Sequence, residues 1–463
     1  MRSLLLKGAM VVALCVGTLG LGATTAFAAT TVKANPKSGA DAYKVIQAQL
    51  DKAHAKAKSG NKYTVKVKKG SYKLSGTLRI YSNTTLDLTG VKLKATNKSK
   101  NMIKVGDTPL DKKTGYAYKN ISIVGGDLNN AGHGCTVIQI GHVKNMSLKK
   151  MKIHNTKNAH LVEVAGADGF TVDSCTLYDQ VLTKNASVST PEAIQIDILV
   201  KRHMPTYRSE PLACKNIVVK NCTFKNVPRG VGSHTAILNC PMTNIKFLNN
   251  TFTKCTSTAI QTLNYQNCTI EGNTINGAPR GIAVYTVFPK GVFFASTLAK
   301  EGNVKTKISS AYRTPAANQK IVINSNTIKV AGDDVITKTE NAGILVYGYN
   351  FAKKLTKNAG TDAIPAGNYY ASGVTVSNNK VNTTGHGIRL VDTRNSVVSG
   401  NTVSFTKNGS SQGTGYGIQL IDQSINNQLI GNTVTGSMTR DISIARGSTL
   451  SRDEGNKTSD GSW

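Results

Sequence analysis

Short runs of alternating apolar and polar residues dominate the chain from about residue 120 onward. The run Glu192-Ala193-Ile194-Gln195-Ile196-Asp197 is representative: Ile194 and Ile196 alternate with Gln195 and Asp197. A period of two belongs to a strand with one face in a core and the other in water. The spacing therefore predicts a strand whose wet face carries Gln195 and Asp197, with Glu192 leading in. Asp41–Lys58 follows a different period. There Ala42, Val45, Ile46, Gln47, Leu50, Ala53 and Ala57 fall on or near one face of a short helix.

The strand-like runs also repeat one another. Laid in register, segments begin at Ile121, Met146, Phe170, Ile217, Ile245, Cys268, Ile321, Val374, Ser396 and Asn427. The sixth position is Asn in the later segments, from Asn250 through Asn273, Asn326, Asn379 and Asn401 to Asn432. Two residues later an apolar side chain always follows, from Leu128 to Val434. A second strand comes next, usually after a glycine, as at Gly281-Ile282, Gly387-Ile388 and Gly417-Ile418. The shortest repeats, 22–25 residues, suit one coil of a parallel β-helix. Stacked coils turn equal positions into columns, so the Asn column becomes a ladder of shared amide hydrogen bonds. The many Asn-x-Thr triplets belong to that ladder and not to glycan acceptor sites. Cys175 and Cys222 take the same column and read as small buried side chains.

The short helix, the motif Val65-Lys66-Val67 through Gly70 and Tyr72 to Leu74, and the repeated Gly-Asn-Thr-Ile/Val resemble the pectin-lyase-like family of right-handed parallel β-helices. The resemblance covers about residues 35–455. It implies an all-β solenoid of about ten to twelve coils with a short N-terminal capping helix. Pectate lyases, polygalacturonases, alginate epimerases and phage tailspikes share that fold, so the fold by itself names no chemistry. The organisation expected is a leader at 1–29, a helix and cap at 30–75, a β-helix domain at 76–455 and a tail at 456–463. Family active-site motifs do not carry over. Gly332-Asp333-Asp334 and Gly385-His386-Gly387 lie more than fifty residues apart, Gly132-His133-Gly134 is isolated, and no Asn-Thr-Asp, Arg-Ile-Lys or Asp-Pro-His-Asp is present.

Charge and the N-terminus narrow the setting. Arg2 and Lys7, the apolar stretch Ala9–Leu21 and Ala26-Phe27-Ala28 read as a secretory signal peptide. The expected location is therefore outside a bacterial membrane, secreted or associated with the cell surface. The formal charge is +32, or +30 without Arg2 and Lys7, and most of the excess is Lys. That balance favours an anionic polysaccharide or an anionic cell-wall polymer as partner. Nucleic acid is excluded, because no helical basic motif or stacking platform appears. No later stretch is apolar enough to insert in a membrane. Cys135, Cys175, Cys214, Cys222, Cys240, Cys255 and Cys268 are irregularly spaced and form no zinc pattern.

Aligning the second strands brings ionisable residues into adjacent columns. Gln139, Glu163, Gln195 and Gln261 share one outward column, with Ala165, Asp197 and His234 in the next. His160, Glu192 and Arg229 stack at the strand entry, and Arg280 and His386 follow further on. Long insertions around this strand, at Asp179–Pro191 and Lys201–Leu212, and later at Phe288–Ala317 and Phe351–Ser372, are expected to wall a groove. Tyr207, Tyr285, Tyr347, Tyr349, Tyr369 and Tyr370 are available to line it. Two carboxylates across a groove can hydrolyse a glycosidic bond, one protonating the leaving oxygen and the other activating water or attacking carbon.

Asp197 with Glu192 or Glu163 is the expected catalytic pair of a glycoside hydrolase, with His234 and His160 tuning or relaying the proton. Neighbouring coils set such groups from about 5 Å apart upward, so retention and inversion both stay open. Arg229 can clamp a sugar carboxylate or sulfate, and Gln195, Gln261, Arg280, Tyr285 and His160 complete the substrate-binding set. The rival chemistry is β-elimination or C5 epimerisation of an acidic glycan, with His234, Arg229 and Tyr285 as base, neutraliser and acid. Neither asks for a cofactor or a metal here, since the carboxylates are too sparse to gather the six to eight oxygens of a calcium site. The third reading is a non-catalytic surface adhesin or cell-wall- or glycan-binding protein.

Overall fold

A computed structural model describes residues 30–57, 61–106, 113–183, 190–199, 204–208, 210, 212–237, 240–286, 292–293, 318–333, 340–351, 367–406, 415–437, 439–461 and 463. The chain winds as a right-handed parallel β-helix. One sheet holds 13 strands, from Gly70–Leu74 to Lys457–Thr458. These are the ten segments read from the sequence together with two rungs from the N-terminal end and one from the C-terminal end. The other two faces merge into a single 24-stranded sheet. They merge because Ile138–Lys149 and Val162–Asp173 run around a corner without a break.

The helix spans Tyr43–Ala57 and closes the N-terminal end of the core with Ile46, Leu50, Ala53 and Ala57, while Val45 turns outward. Residues 30–75 supply strands as well as a cap, since Thr30–Ala34 pairs in parallel with Tyr63–Val67. No helix among the described residues is long and apolar enough to cross a membrane. The leader at 1–29, most of 288–317 and most of 351–366 lie outside the described residues.

The interior is built of columns. Leu177, Phe224, Phe252, Ile275, Ile328, Val381, Val403 and Val434 stand in register on successive coils. Beside them the Asn ladder runs from Asn250 to Asn456, one rung into the tail. Each Asn Nδ2 donates to the next Asn Oδ1, at 2.9–3.0 Å, and to a main-chain carbonyl of the preceding coil, such as Ile270 O from Asn326. Each Oδ1 also accepts the main-chain N–H of the preceding rung, as from Asn273 to Asn326 at 2.9 Å. The residue before each rung is left-handed: Asn249, Gly272, Ser325, Asn378, Gly400, Gly431 and Gly455 have φ between 54° and 66°. Asn and Gly tolerate that region best, which is why the motif reads Asn-Asn or Gly-Asn at every rung but Ser325-Asn326.

Cys175 and Cys222 hold the column ahead of the ladder as buried free thiols, and all seven cysteines from Cys135 to Cys268 are unbonded. The glycines before the second strands mark a close approach. A Cβ on Gly387 would lie 2.4 Å from both Gly417 O and Val403 Cγ1.

Replacing a central rung should be costly, because it orphans buried donors and acceptors on two neighbouring coils. Asn326→Ala strands Asn273 N, removes one acceptor of Asn273 Nδ2 and the side-chain donor to Ile270 O, and leaves part of Asn379 Oδ1 unmet. At 1–3 kcal/mol per orphaned group, the loss is expected to be about 3–5 kcal/mol. Thermal melts followed by circular dichroism should show it against Lys380→Ala, an exposed control. Equal melting temperatures for the two variants would mean that water replaces the amide.

Candidate functional site

The strand Glu192–Asp197 forms, and its neighbours stack as the alignment implies: Glu163 pairs with Gln195, and Glu192 with Arg229. Its outward face, however, is not wet. All six residues are buried, with Glu192 at 0 % and Asp197 at 1 % exposure. The chain after the strand folds back over it. Leu199, Met204 and Tyr207 pack on Ala165, with Leu212 against them. Gly141 makes room for the Tyr207 ring, since a Cβ there would lie 2.8 Å from it. Tyr207 is pinned by its hydroxyl, which donates to Val105 O at 2.5 Å, and by Lys104 Nζ 4.2 Å above the ring. Tyr207 therefore seals the face and lines no groove.

Glu192 is the hub of the ionisable cluster. Its Oε1 accepts from Arg229 Nη1 at 2.5 Å, and its Oε2 lies 2.9 Å from His234 Nδ1 and 3.7 Å from His160 Nδ1. The His160 and His234 rings stack with centroids 5.9 Å apart, and only these two rings reach the surface. Burial alone pushes the Glu192 carboxyl up, but the His234 and Arg229 charges and the His234 hydrogen bond outweigh it and hold the group far below the usual carboxylate range. Burial opposes the His234 charge, yet Glu192 and Asp197 raise its affinity for a proton. The alignment put His234 beside Asp197; the strand instead ends at Gly232, and His234 turns back to Glu192.

The other expected site residues are also engaged in packed hydrogen bonds. Asp197 accepts from Gln195 Nε2 at 2.6 Å and from Ile198 N at 2.8 Å. Glu163 accepts from Gln139 Nε2 at 2.9 Å, and Gln261 donates to Ser233 O at 2.8 Å. Asp197 and Glu163 occupy different rungs, Glu163 facing Gln195 and Asp197 facing Ala165.

Open space lies further along the same face. Arg280 and Tyr285 line a cavity of about 390 Å³ with Tyr347, Tyr349, Glu340 and Arg389. Tyr285, Tyr347 and Leu263 are in register on successive coils. The three tyrosine rings form a shelf, with centroids 6.0 Å apart from Tyr285 to Tyr347 and 4.5 Å from Tyr347 to Tyr349. Arg280 is held from behind by Thr258 Oγ1 at 3.1 Å and Ser257 Oγ at 3.3 Å. Arg389 pairs with the exposed Glu340. A second cavity of about 500 Å³ adjoins the first, shares Tyr347, Tyr349 and Asp422 with it, and adds Asp392, Gln423 and Arg446.

Glu340 and Asp422 were missed by the sequence reading because they sit just outside the aligned strands, at their entry and exit. Asp333 is exposed and bonded to Asn341, Asp334 lies outside the described residues, and burial pushes His386 down to about 4 as it stacks on Tyr416. Among the described residues no three His, Cys, Asp or Glu side chains are grouped to hold a metal ion.

Residues 212–359 match the family model described as the right handed beta helix region. A curated relative, plasmin and fibronectin-binding protein A of Streptococcus pneumoniae, is 22 % identical over 182 residues. That match covers 37 % of this chain and about a quarter (24 %) of the relative's length. The crystal structure of that surface adhesin superposes with a TM-score of 0.61 at 18 % identity, covering 88 % of this chain and 91 % of the other. The A-module of a mannuronan C-5 epimerase from Azotobacter vinelandii superposes with a TM-score of 0.50 at 15 % identity, covering 91 % and 96 %. At these identities the structural likeness is one of fold.

The Glu192 cluster predicts a defined pH dependence of stability. His234 binds its proton more tightly when folded, so its contribution is complete below about pH 6.5 and is lost as the pH rises through the folded value. Glu192 is shifted the other way, so its contribution is complete above about pH 4.3 and is lost as the pH falls through the folded value. The cluster should therefore stabilise most between about pH 4.5 and 6.5. His234→Gln should lower the melting temperature more at about pH 5.5 than at about pH 8.5. An equal loss at both would assign His234 to packing alone.

Proposed function

We propose that this chain binds a polysaccharide outside the bacterial cell, along the tyrosine shelf of its C-terminal coils. The observation that carries the reading is the shelf of the half-buried Tyr347 and Tyr349 beside the buried Tyr285, lining a cavity flanked by Arg280 and Arg389. Sugar rings expose apolar C–H faces that lie well on tyrosine. Guanidinium groups meet a sugar carboxylate or sulfate with two parallel N–H donors. Arg280 is almost fully buried and held by Thr258 and Ser257, so it places a fixed positive charge beside the shelf. The chain's formal charge of +32 adds attraction for an acidic polymer at long range.

The similar proteins support a setting of this kind. One is a surface adhesin, and another is an epimerase of mannuronan. The leader read at 1–29 agrees with export. On this reading Glu163, Glu192, Asp197, Gln195, His160, His234 and Arg229 act as the packed polar support of the preceding coils. A hydrolytic role for Asp197 with Glu192 or Glu163 would require that packing to open. The same holds for a lyase or epimerase role of His234 and Arg229. A second reading, capture of a host protein, is favoured by the curated relative, which is named for plasmin and fibronectin.

The test is retention of the purified chain on immobilised dextran, mannan, alginate, polygalacturonate and hyaluronan, with plasmin and fibronectin as further surfaces. Tyr347→Ala should weaken glycan binding about tenfold or more, since each 1.4 kcal/mol is tenfold. Arg280→Gln should weaken the acidic polymers and spare the neutral ones, with circular dichroism confirming that both variants fold. Unchanged glycan binding by Tyr347→Ala would move the site off the shelf. Retention on plasmin or fibronectin without any glycan would favour the second reading.

A further inference from the structure

The second cavity carries a feature that binding alone does not explain. Its wall holds two carboxyl groups on consecutive coils, Asp392 and Asp422, each one residue past the end of its strand. Asp392 N donates to Ile421 O at 3.1 Å, so the two residues stack one rung apart. Their Cα atoms are then about 5 Å apart. Both are left-handed, with φ of 45° and 53°, which turns the chain away from the sheet at the cavity wall.

The two environments differ sharply. Asp422 is exposed. Asp392 is 1 % exposed, its Oδ1 accepts from Asn368 Nδ2 at 3.4 Å, and its Oδ2 has no hydrogen-bond partner. An acceptor buried without a donor costs about 1–3 kcal/mol. A proton on Asp392, or a ligand hydroxyl, would relieve that cost. Burial pushes the Asp392 carboxyl up, the Asp422 charge adds to the rise, and Asn368 and Arg394 only partly offset it. Two carboxyl groups in such unlike surroundings, one buried and one exposed, divide naturally into an acid and a base.

We propose that Asp392 and Asp422 are the acid and the base of a glycosidic-bond-cleaving site in this cavity, acting on the polysaccharide held by the adjoining tyrosine shelf. The inference rests on the binding reading above. Asp392 gives its proton to the glycosidic oxygen as the C1–O bond breaks. Asp422 takes a proton from water, whose oxygen bonds to C1. The products are a reducing sugar and a free alcohol, and exchange of one proton with solvent restores both carboxyl groups. Tyr347 and Tyr349 line both cavities and carry the chain of sugars from one to the other.

The experiment takes whichever polymers of the panel the wild-type chain retains and measures, for each, new reducing ends and the ultraviolet absorbance of unsaturated uronides. The expected result is reducing ends without the absorbance, lost at least a hundredfold in Asp392→Asn and in Asp422→Asn while both variants still bind the polymer. Asp197→Asn and Glu163→Gln, which lie in the packed coils, serve as the comparison and should keep the activity wherever their melting temperature shows a folded chain. Retained polymers that yield no reducing ends overturn this inference and leave the binding reading standing. So does cleavage that survives both aspartate substitutions, or that appears only as unsaturated product. Retention of no polymer overturns the binding reading and this one with it.

Discussion

The fold depends on a buried amide that has to be satisfied on all sides. In each rung of the ladder one Asn side chain donates twice and accepts twice, so the corner of a coil is fixed both to the coil before and to the coil after. The geometry admits no slack: the preceding residue must be left-handed, and the following one must start a strand. A polar group buried with all its bonds made is tolerated, and one left unpaired is not. The same requirement therefore holds the coils in register over the whole stretch from Asn250 to Asn456. Ahead of it Cys222 and Cys175 continue the column as thiols, with Met151 N donating to Cys175 Sγ at 3.5 Å and the two thiols donating to Val172 O and Leu148 O on the coil before.

That division of labour runs along the molecule. The coils before the ladder carry a polar interior on their outward face: Glu192, Arg229, Gln195 and Asp197 are buried and linked by short hydrogen bonds, Arg229 to Glu192 and Gln195 to Asp197. The coils backed by the ladder carry the tyrosine shelf and both cavities on the equivalent face. Burying an ion pair costs several kcal/mol per charge unless every lone pair is met, so the closed half is dense with bonds. Both halves keep some buried groups unmet, Arg229 Nε and Gln195 Oε1 in the closed half and Arg389 Nε and Asp392 Oδ2 beside the cavities. Preorganised groups of that kind are what a ligand can use.

Much of the scaffold was legible in the residues. The Asn column, the glycine before each second strand and the pairing of Glu163 with Gln195 follow from periodicity, because in a solenoid the vertical neighbours are set by repeat length alone. What periodicity could not supply was the cover. A strand pattern says that Gln195 and Asp197 leave the core, but whether they meet water depends on where Tyr207 lands, and that is fixed by its hydroxyl on Val105, about a hundred residues away (separation 102). His234 escaped for a similar reason: the strand stops at Gly232, and the ring swings to Glu192 in place of continuing its column. Asp422 and Glu340 stand at strand ends, where left-handed turns and insertions break the register on which the alignment rests.

The parallel pairing of successive coils also decides how the molecule answers a pull. Inter-coil hydrogen bonds lie along the solenoid axis, so tension applied to the two chain ends loads them one coil at a time, like teeth of a zipper, and not all together in shear. A coil of 22–25 residues that peels away releases about 73–90 Å of slack at about 3.3–3.6 Å per residue. The amide ladder makes the C-terminal coils the harder ones to start. A molecule held to a surface at one end and to a polymer at the other would thus yield in long, discrete steps under flow, absorbing work at each one before either attachment has to break.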